Sequence, residues 1–246
     1  MVKYFNLNEA PYNVRCKLYC NDPRNIQQLI VYFHGFGGHK ETKAAERFAE
    51  KLLSKKKRAA VLTFDLPCHG EDGRKNLLLD DCDAYIRIIL SHYAVYDLYA
   101  YATSFGGYLV LKYIHEHGNP FRKIVLRCPA VNMPEALRQK IMTEDDRKEI
   151  DSGKPVEAGF DRKVKISPCF EEELKNNDIR CWSYLDYADD IIIYHGSKDE
   201  VIAYDAVKEF AENNVIDFET VLNADHRFID PQIMDLTIAR ILEYIK

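Results

Sequence analysis

Tyr101-Ala102-Thr103-Ser104-Phe105-Gly106-Gly107-Tyr108 is the stretch on which the chain turns. An apolar run ends there in a serine flanked by small residues, and helical spacing begins at once with Tyr108, Leu109, Leu111 and Ile114. A strand that turns sharply into a helix holds its apex residue in a strained conformation, so the side chain projects from the sheet edge instead of into the core. The residues two before and two after the apex must be small, because the two backbones nearly touch there. Ala102 and Gly106 satisfy that demand, which makes Ser104 the candidate nucleophile. A plain loop between two ordinary elements could use the same residues, so the decision falls to the rest of the chain.

Working outward, residues 28–33 and 59–64 are short, nearly continuous apolar runs, as expected of strands buried on both faces of a parallel sheet. Residues 12–20 alternate, which predicts a strand with one wet face carrying Asn13, Arg15, Lys17 and Tyr19. Amphipathic helical spacing covers residues 42–56, with Ala45, Phe48, Ala49, Leu52 and Leu53 on one side, and returns over 77–93. Strand character marks 95–102, 124–126, 191–194 and 215–222, and helices are expected at 203–213 and 232–245, with Pro231 suited to a first helical turn. Alternation of strand and helix predicts an α/β fold with a mostly parallel sheet covered on both faces. The rhythm fails between residues 129 and 187. A structureless loop of that length would be unusual, so the expectation is a single domain over 1–246 with 129–187 as an inserted cap of short helices and a hairpin near 159–166.

Composition narrows the functional classes. The chain has 246 residues, 47% of them hydrophobic, enough for a sizeable core. Its formal charge of -5 argues against a nucleic-acid or anionic-membrane partner, both of which need a basic surface. The basic run Lys55-Lys56-Lys57-Arg58 ends a helical stretch, where cations suit the helix dipole. No signal segment or bilayer-length apolar run is evident, and seven scattered cysteines fit reduced thiols, so a cytoplasmic protein is expected. Cys16 and Cys20 lack a matching second pair, and His115-Glu116-His117 is far from H-E-x-x-H; no metal or cofactor is expected.

A serine hydroxyl becomes a nucleophile only when a base takes its proton, and a carboxylate that orients the base completes the unit. On this kind of sheet the order is Ser, then Asp or Glu, then His. Ser104, Asp199 and His226 occur in that order, each after an expected strand. Asp205, in the following helix, is the alternative acid, and Asp225 is adjacent to the histidine. His34, His69 and His195 each precede glycine and read as structural members of their loops. His34-Gly35-Phe36-Gly37-Gly38 places three glycines in five residues, a backbone able to leave amides pointing outward.

With these four stretches and Asp65-Leu66-Pro67-Cys68-His69-Gly70-Glu71, the chain resembles the α/β-hydrolase superfamily over nearly its whole length apart from the cap. Within it, the chain resembles small bacterial esterases of the cinnamoyl or feruloyl type and monoacylglycerol lipases. The resemblance implies Ser104 as nucleophile, His226 as general base and acid, and Asp199 as orienting acid. It implies an oxyanion hole of the Phe36 and Phe105 backbone amides, with Gly35, Phe36 and Phe105 against the substrate. The expected reaction is cleavage of a small-molecule carboxylic ester through an acyl-serine intermediate. A peptidase or amidase of the same fold is the alternative, then a non-catalytic ligand-binding relative. Phe36, Phe105, Phe170, Trp182 and Tyr184 are candidate aromatic lining of the pocket or, for the last three, packing between cap and core.

Overall fold

The computed structural model describes residues 1–245. Its first half contains β1 (Val2–Glu9), β2 (Tyr12–Cys20), β3 (Gln28–Phe33), α1 (Lys43–Lys55), β4 (Ala59–Phe64), α2 (Leu79–His92), β5 (Asp97–Thr103), α3 (Phe105–His117) and β6 (Ile124–Arg127). Then come α4 (Met133–Ala136), α5 (Glu144–Asp151), β7 (Val156–Ala158), β8 (Val164–Ile166) and α6 (Pro168–Asn176). The chain closes with β9 (Ile191–Gly196), α7 (Tyr204–Asn213), β10 (Asp217–Val221) and α8 (Pro231–Tyr244).

Eight of the strands form one sheet in the order β1-β2-β4-β3-β5-β6-β9-β10. Pairing is parallel from β4 through β10 and antiparallel for β1 with β2 and β2 with β4. The apolar run of β4 is buried at every residue, and that of β3 at all but its first, as strands covered on both faces require. One face packs under α1 and α8: Phe48 and Leu52 of α1 meet Ile238 and Ile241 of α8 in a cluster that includes Tyr32 and Tyr101. The other face lies under α2, α3, α6 and α7. Thr42 caps α1 by accepting from the Ala45 amide, and Asp230 caps α8 by accepting from Gln232 and Ile233. This is the α/β-hydrolase fold, and the sheet puts the ends of β3, β5, β6 and β9 along one edge.

Two features differ from the sequence expectation. β1 was not anticipated, because it is an edge strand, exposed at nearly every position except Leu7, and carries no apolar periodicity. The predicted wet face of β2 is wet only in its first half. Lys17 and Tyr19 are buried, since Tyr19 packs with Phe48 and Leu52 of α1 while the Lys17 ammonium lies over the rings of Tyr4 and Tyr19, 5.2 and 4.7 Å from their centroids.

Between β6 and β9 the chain forms short helices, a π-helical turn at Leu137–Ile141 and the antiparallel β7–β8 hairpin. The hairpin starts ahead of Gly159, which lies in its connection at φ +141, a backbone conformation suited to glycine. No described helix is long and apolar enough to cross a membrane. All seven cysteines are free thiols.

Candidate active site

Ser104 sits between β5 and α3 with φ 51° and ψ -119°. A non-glycine residue there is strained and must be held by its surroundings. The Ser104 amide donates to Arg127 O (3.0 Å), and its carbonyl accepts from the amides of Gly107, Ala130 and Tyr108 (2.9, 3.1 and 3.2 Å). The small residues have distinct roles. A Cβ on Gly106 would stand 2.5 Å from Phe33 O, and one on Gly35 would stand 3.1 Å from Ser104 Cβ. Ala102, by contrast, pairs with Phe33 and Leu126 and has its methyl wholly in the core.

His226, on the loop between β10 and α8, places Nε2 3.0 Å from Ser104 Oγ and Nδ1 2.8 Å from Asp199 Oδ2. Asp199 follows β9, and its Oδ1 accepts from the amides of Val201 and Ile202 (2.9 and 2.8 Å). Burial alone would raise the Asp199 carboxyl; the His226 hydrogen bond and charge and the Ile202 amide outweigh it and hold the group below the usual carboxylate range. Asp225 turns into its own loop, accepting from the amides of Arg227 and Ile229 (2.9 and 3.2 Å). Asp205 stays in the first turn of α7. Hydroxyl, imidazole and carboxylate thus form one hydrogen-bonded line from three distant loops. The Asp199 and His226 loops are locked together where a Cβ on Gly196 would meet Ala224 O at 2.4 Å.

The stretch after β3 turns through Gly38 N donating to Gly35 O (2.9 Å), with Gly37 at φ 73°. His34 Nδ1 donates to Gly35 O (2.8 Å) and its Nε2 accepts from Leu66 N (3.1 Å), tying this loop to the one after β4. There Asp65, fully buried, accepts from Lys40 N, Lys40 Nζ and Glu71 N (2.7, 3.0 and 3.1 Å). The Phe36 ring packs edge-on against Phe105 and His69, with centroids 5.9 and 5.5 Å apart. Among the described residues, neither the Phe36 nor the Phe105 amide donates a hydrogen bond to the protein. His195 Nε2 donates to Ile202 O (3.2 Å) and braces the Asp199 loop.

His34 and His69 carry a pH consequence. Burial lowers His69 from 6.5 to about 4, and burial with the His69 charge lowers His34 in the same direction. The unfolded chain therefore takes up protons on these histidines below pH 6.5 while the native protein resists, so the stability they confer is complete above pH 6.5 and is lost as pH falls toward 4. For His69 the shift corresponds to about 3 kcal/mol. Thermal melts between pH 7.5 and 4 should show the wild-type Tm falling over this window and a shallower fall for His69→Asn; parallel curves would assign the acid lability elsewhere.

A cavity of about 680 Å³ opens beside Ser104 and His226. Gly35 and Phe36 border it, together with Met133, Ile141 and Phe160 from the segment between β6 and β9. The rings of Phe105, Phe170 and Tyr184 do not; they are wholly buried in the core. Trp182 stacks on His115 at 4.2 Å, away from the cavity. Sequence reasoning did not single out Phe160, Arg127 or Phe228, which also line it. Phe160 and its neighbours Asp161 and Arg162 form the hairpin tip, which crosses to the loops at the site. Asp161 pairs with Arg227, and Arg162 O lies 3.0 Å from where a Gly37 Cβ would stand. Among the described residues, two groups each bring three potential metal ligands within 4.8 Å of one another. In Cys128, His195 and Asp199 the carboxylate is engaged by His226; in Asp83, Glu116 and His117 the aspartate is paired with Arg87 and His117 at the surface.

Comparison with known proteins agrees with the architecture. Residues 24–145 match the family model described as serine aminopeptidase, S33. A hydrolase-like structure from Agrobacterium vitis S4 superposes with a TM-score of 0.79 at 16% identity, covering 100% of this chain and 99% of its own. Est1E from Butyrivibrio proteoclasticus, solved with ferulic acid bound, gives 0.77 at 20% identity, covering 98% and 97%. Mouse alpha/beta hydrolase domain-containing protein 10 gives 0.75 at 17% identity, covering 99% and 98%. No curated protein sequence matches the chain. The chain has the fold of the α/β-hydrolases, and residues 24–145 are similar to the serine aminopeptidase, S33, family.

Proposed function

We propose that the protein is a serine hydrolase that cleaves carboxylic esters of small molecules through an acyl-Ser104 intermediate. The observation that carries this reading is the line Asp199–His226–Ser104, with contacts of 2.8 and 3.0 Å, opening onto the cavity. In the proposed reaction His226 Nε2 accepts the Ser104 proton as Oγ attacks the ester carbonyl. Asp199 stabilises the imidazolium and fixes its tautomer. The free amides of Phe36 and Phe105 take the oxyanion, a contribution for which loss of one donor costs about 3 kcal/mol of barrier. His226 then protonates the departing alcohol, and water releases the acid by the same route. Residues 129–187 serve as the cap that shapes the pocket, through Met133, Ile141 and Phe160.

The description of the matching family model favours an aminopeptidase-like variant as the second reading. An amide uses the same nucleophile but has a poorer leaving group, so matched p-nitrophenyl esters and p-nitroanilides of one acyl group separate the two. The expected result is ester turnover that far exceeds anilide turnover, over a panel that includes short acyl, feruloyl and monoacylglycerol esters. A fluorophosphonate probe should label wild type and leave Ser104→Ala unlabelled. Absence of label on wild type would return the chain to the class of ligand-binding relatives.

A further inference from the structure

Arg127 is a buried cation that the proposed ester chemistry leaves unused. It ends β6 and turns toward the sheet face covered by α1 and α8, where it is 6% exposed and borders the same cavity as Ser104. Its guanidinium carbon lies 5.2 Å from the Phe228 ring centroid, and Nη1 donates only to the Met234 thioether, 3.5 Å away. A thioether is a weak acceptor. Nε has no protein acceptor at all.

The other described buried cations show what this protein does elsewhere. Lys40 is paired with Asp65 and Glu71 (3.0 and 2.6 Å), Lys112 with Glu116, and Lys17 with Glu41 (3.9 Å) and two aromatic faces. No described carboxylate forms an ion pair with Arg127. A permanently charged group held away from water without a counter-charge is strongly unfavourable unless something supplies one. The charge around the cavity points the same way. Arg47 and Arg227 are neutralised by Asp235 and Asp161, while Lys43 and Arg162 line the cavity with no ion pair among the described residues, in a chain whose net charge is -5. A cationic pocket in an anionic protein concentrates anions where the field is focused.

We propose that Arg127 is the specificity residue for a carboxylate on the ester substrate, which it binds through the guanidinium N–H groups at the cavity wall. Two parallel N–H donors in a fixed plane match the two oxygens of a carboxylate, a fit that a lysine could not reproduce. The proposal rests on the serine-hydrolase reading and adds the class of substrate: an acidic ester. The competing role for Arg127 is a brace that holds the Phe228 loop and α8 beneath His226.

Two matched substrate pairs test it, one for each half of the ester. Mono-p-nitrophenyl adipate against its methyl ester places the carboxylate on the acyl side; 4-carboxyphenyl butyrate against its methyl ester places it on the alcohol side. Wild type should favour the acidic member of one pair in kcat/KM by about tenfold or more, the scale of a buried charge-assisted hydrogen bond. In Arg127→Met, and in Arg127→Gln as a second, polar replacement, that ratio should collapse toward unity. A wild-type ratio near or below unity in both pairs overturns the proposal without any variant. So does a preference that survives in a folded variant, or an equal loss on both members, which a brace would produce. Fluorophosphonate labelling in the same samples keeps the two readings apart. Labelled wild type with no acidic preference sinks only the carboxylate subsite, whereas unlabelled wild type sinks the hydrolase reading beneath it.

Discussion

Asp199→Asn is expected to lower kcat by about 10⁴ on a p-nitrophenyl ester with little loss of fold, a magnitude seen for an orienting aspartate in an unrelated triad. The reason lies in how the carboxylate is held. Oδ1 accepts from both Val201 N and Ile202 N, so in the variant the amide oxygen must stay there to keep those donors satisfied. Its NH₂ then occupies the Oδ2 position, facing His226 Nδ1 across the present 2.8 Å contact. A donor at that point forces Nδ1 to accept, places the proton on Nε2, and leaves Ser104 without a base. Ser104→Ala and His226→Ala should each lower kcat by about 10⁶, and the double variant should fall no further, because the residues act as one unit. Retention of activity within tenfold in Asp199→Asn would disprove the orienting role. Glu200, whose carboxylate lies 3.4 Å from the His226 amide, would then be the first acid to vary.

Much of this was legible in the sequence, for a physical reason. Strands buried on both faces must be apolar throughout, so β3 and β4 announced their own limits, 28–33 and 59–64. Loops that follow such strands collect at one sheet edge, which is why residues as far apart as Ser104, Asp199 and His226 could be grouped before any contact was known. What escaped was whatever depends on a neighbour distant in sequence. β1 is a strand because β2 accepts it in register from Val2↔Tyr19 to Glu9↔Tyr12, not because of its own pattern. Lys17 is buried because two tyrosines cover it. Arg127 lies just past the expected strand 124–126 and drew no attention there; only the packing of Phe228 and Met234 around it reveals a cation without a partner. The Phe105 ring looked available to a substrate beside Ser104, yet it points into the core against Phe170 and Tyr108.

Gly106→Ala should damage the site far more than its chemistry suggests. In most helices alanine is the better residue by about 1 kcal/mol. Here the added Cβ would sit 2.5 Å from Phe33 O and 2.7 Å from His34 O, both backbone atoms that no rotamer change can remove. Relief requires the first turn of α3 to move away from the end of β3. The two sides of that contact carry the Phe105 amide on one hand and the loop leading to Phe36 on the other, so relief opens the proposed oxyanion hole. A cost of about 2 kcal/mol or more in stability is expected, as for other overpacked sites. A loss of about 100-fold in kcat is expected from misplacement on the scale of an ångström. Gly73→Ala is the matched control, since a Cβ there meets nothing within 4 Å and should leave Tm and kcat unchanged. If Gly106→Ala kept kcat within threefold of wild type while lowering Tm, the close approach of β3 and α3 would be a packing constraint alone. If both fell together, the glycine sets the distance between the two amides that the reaction needs.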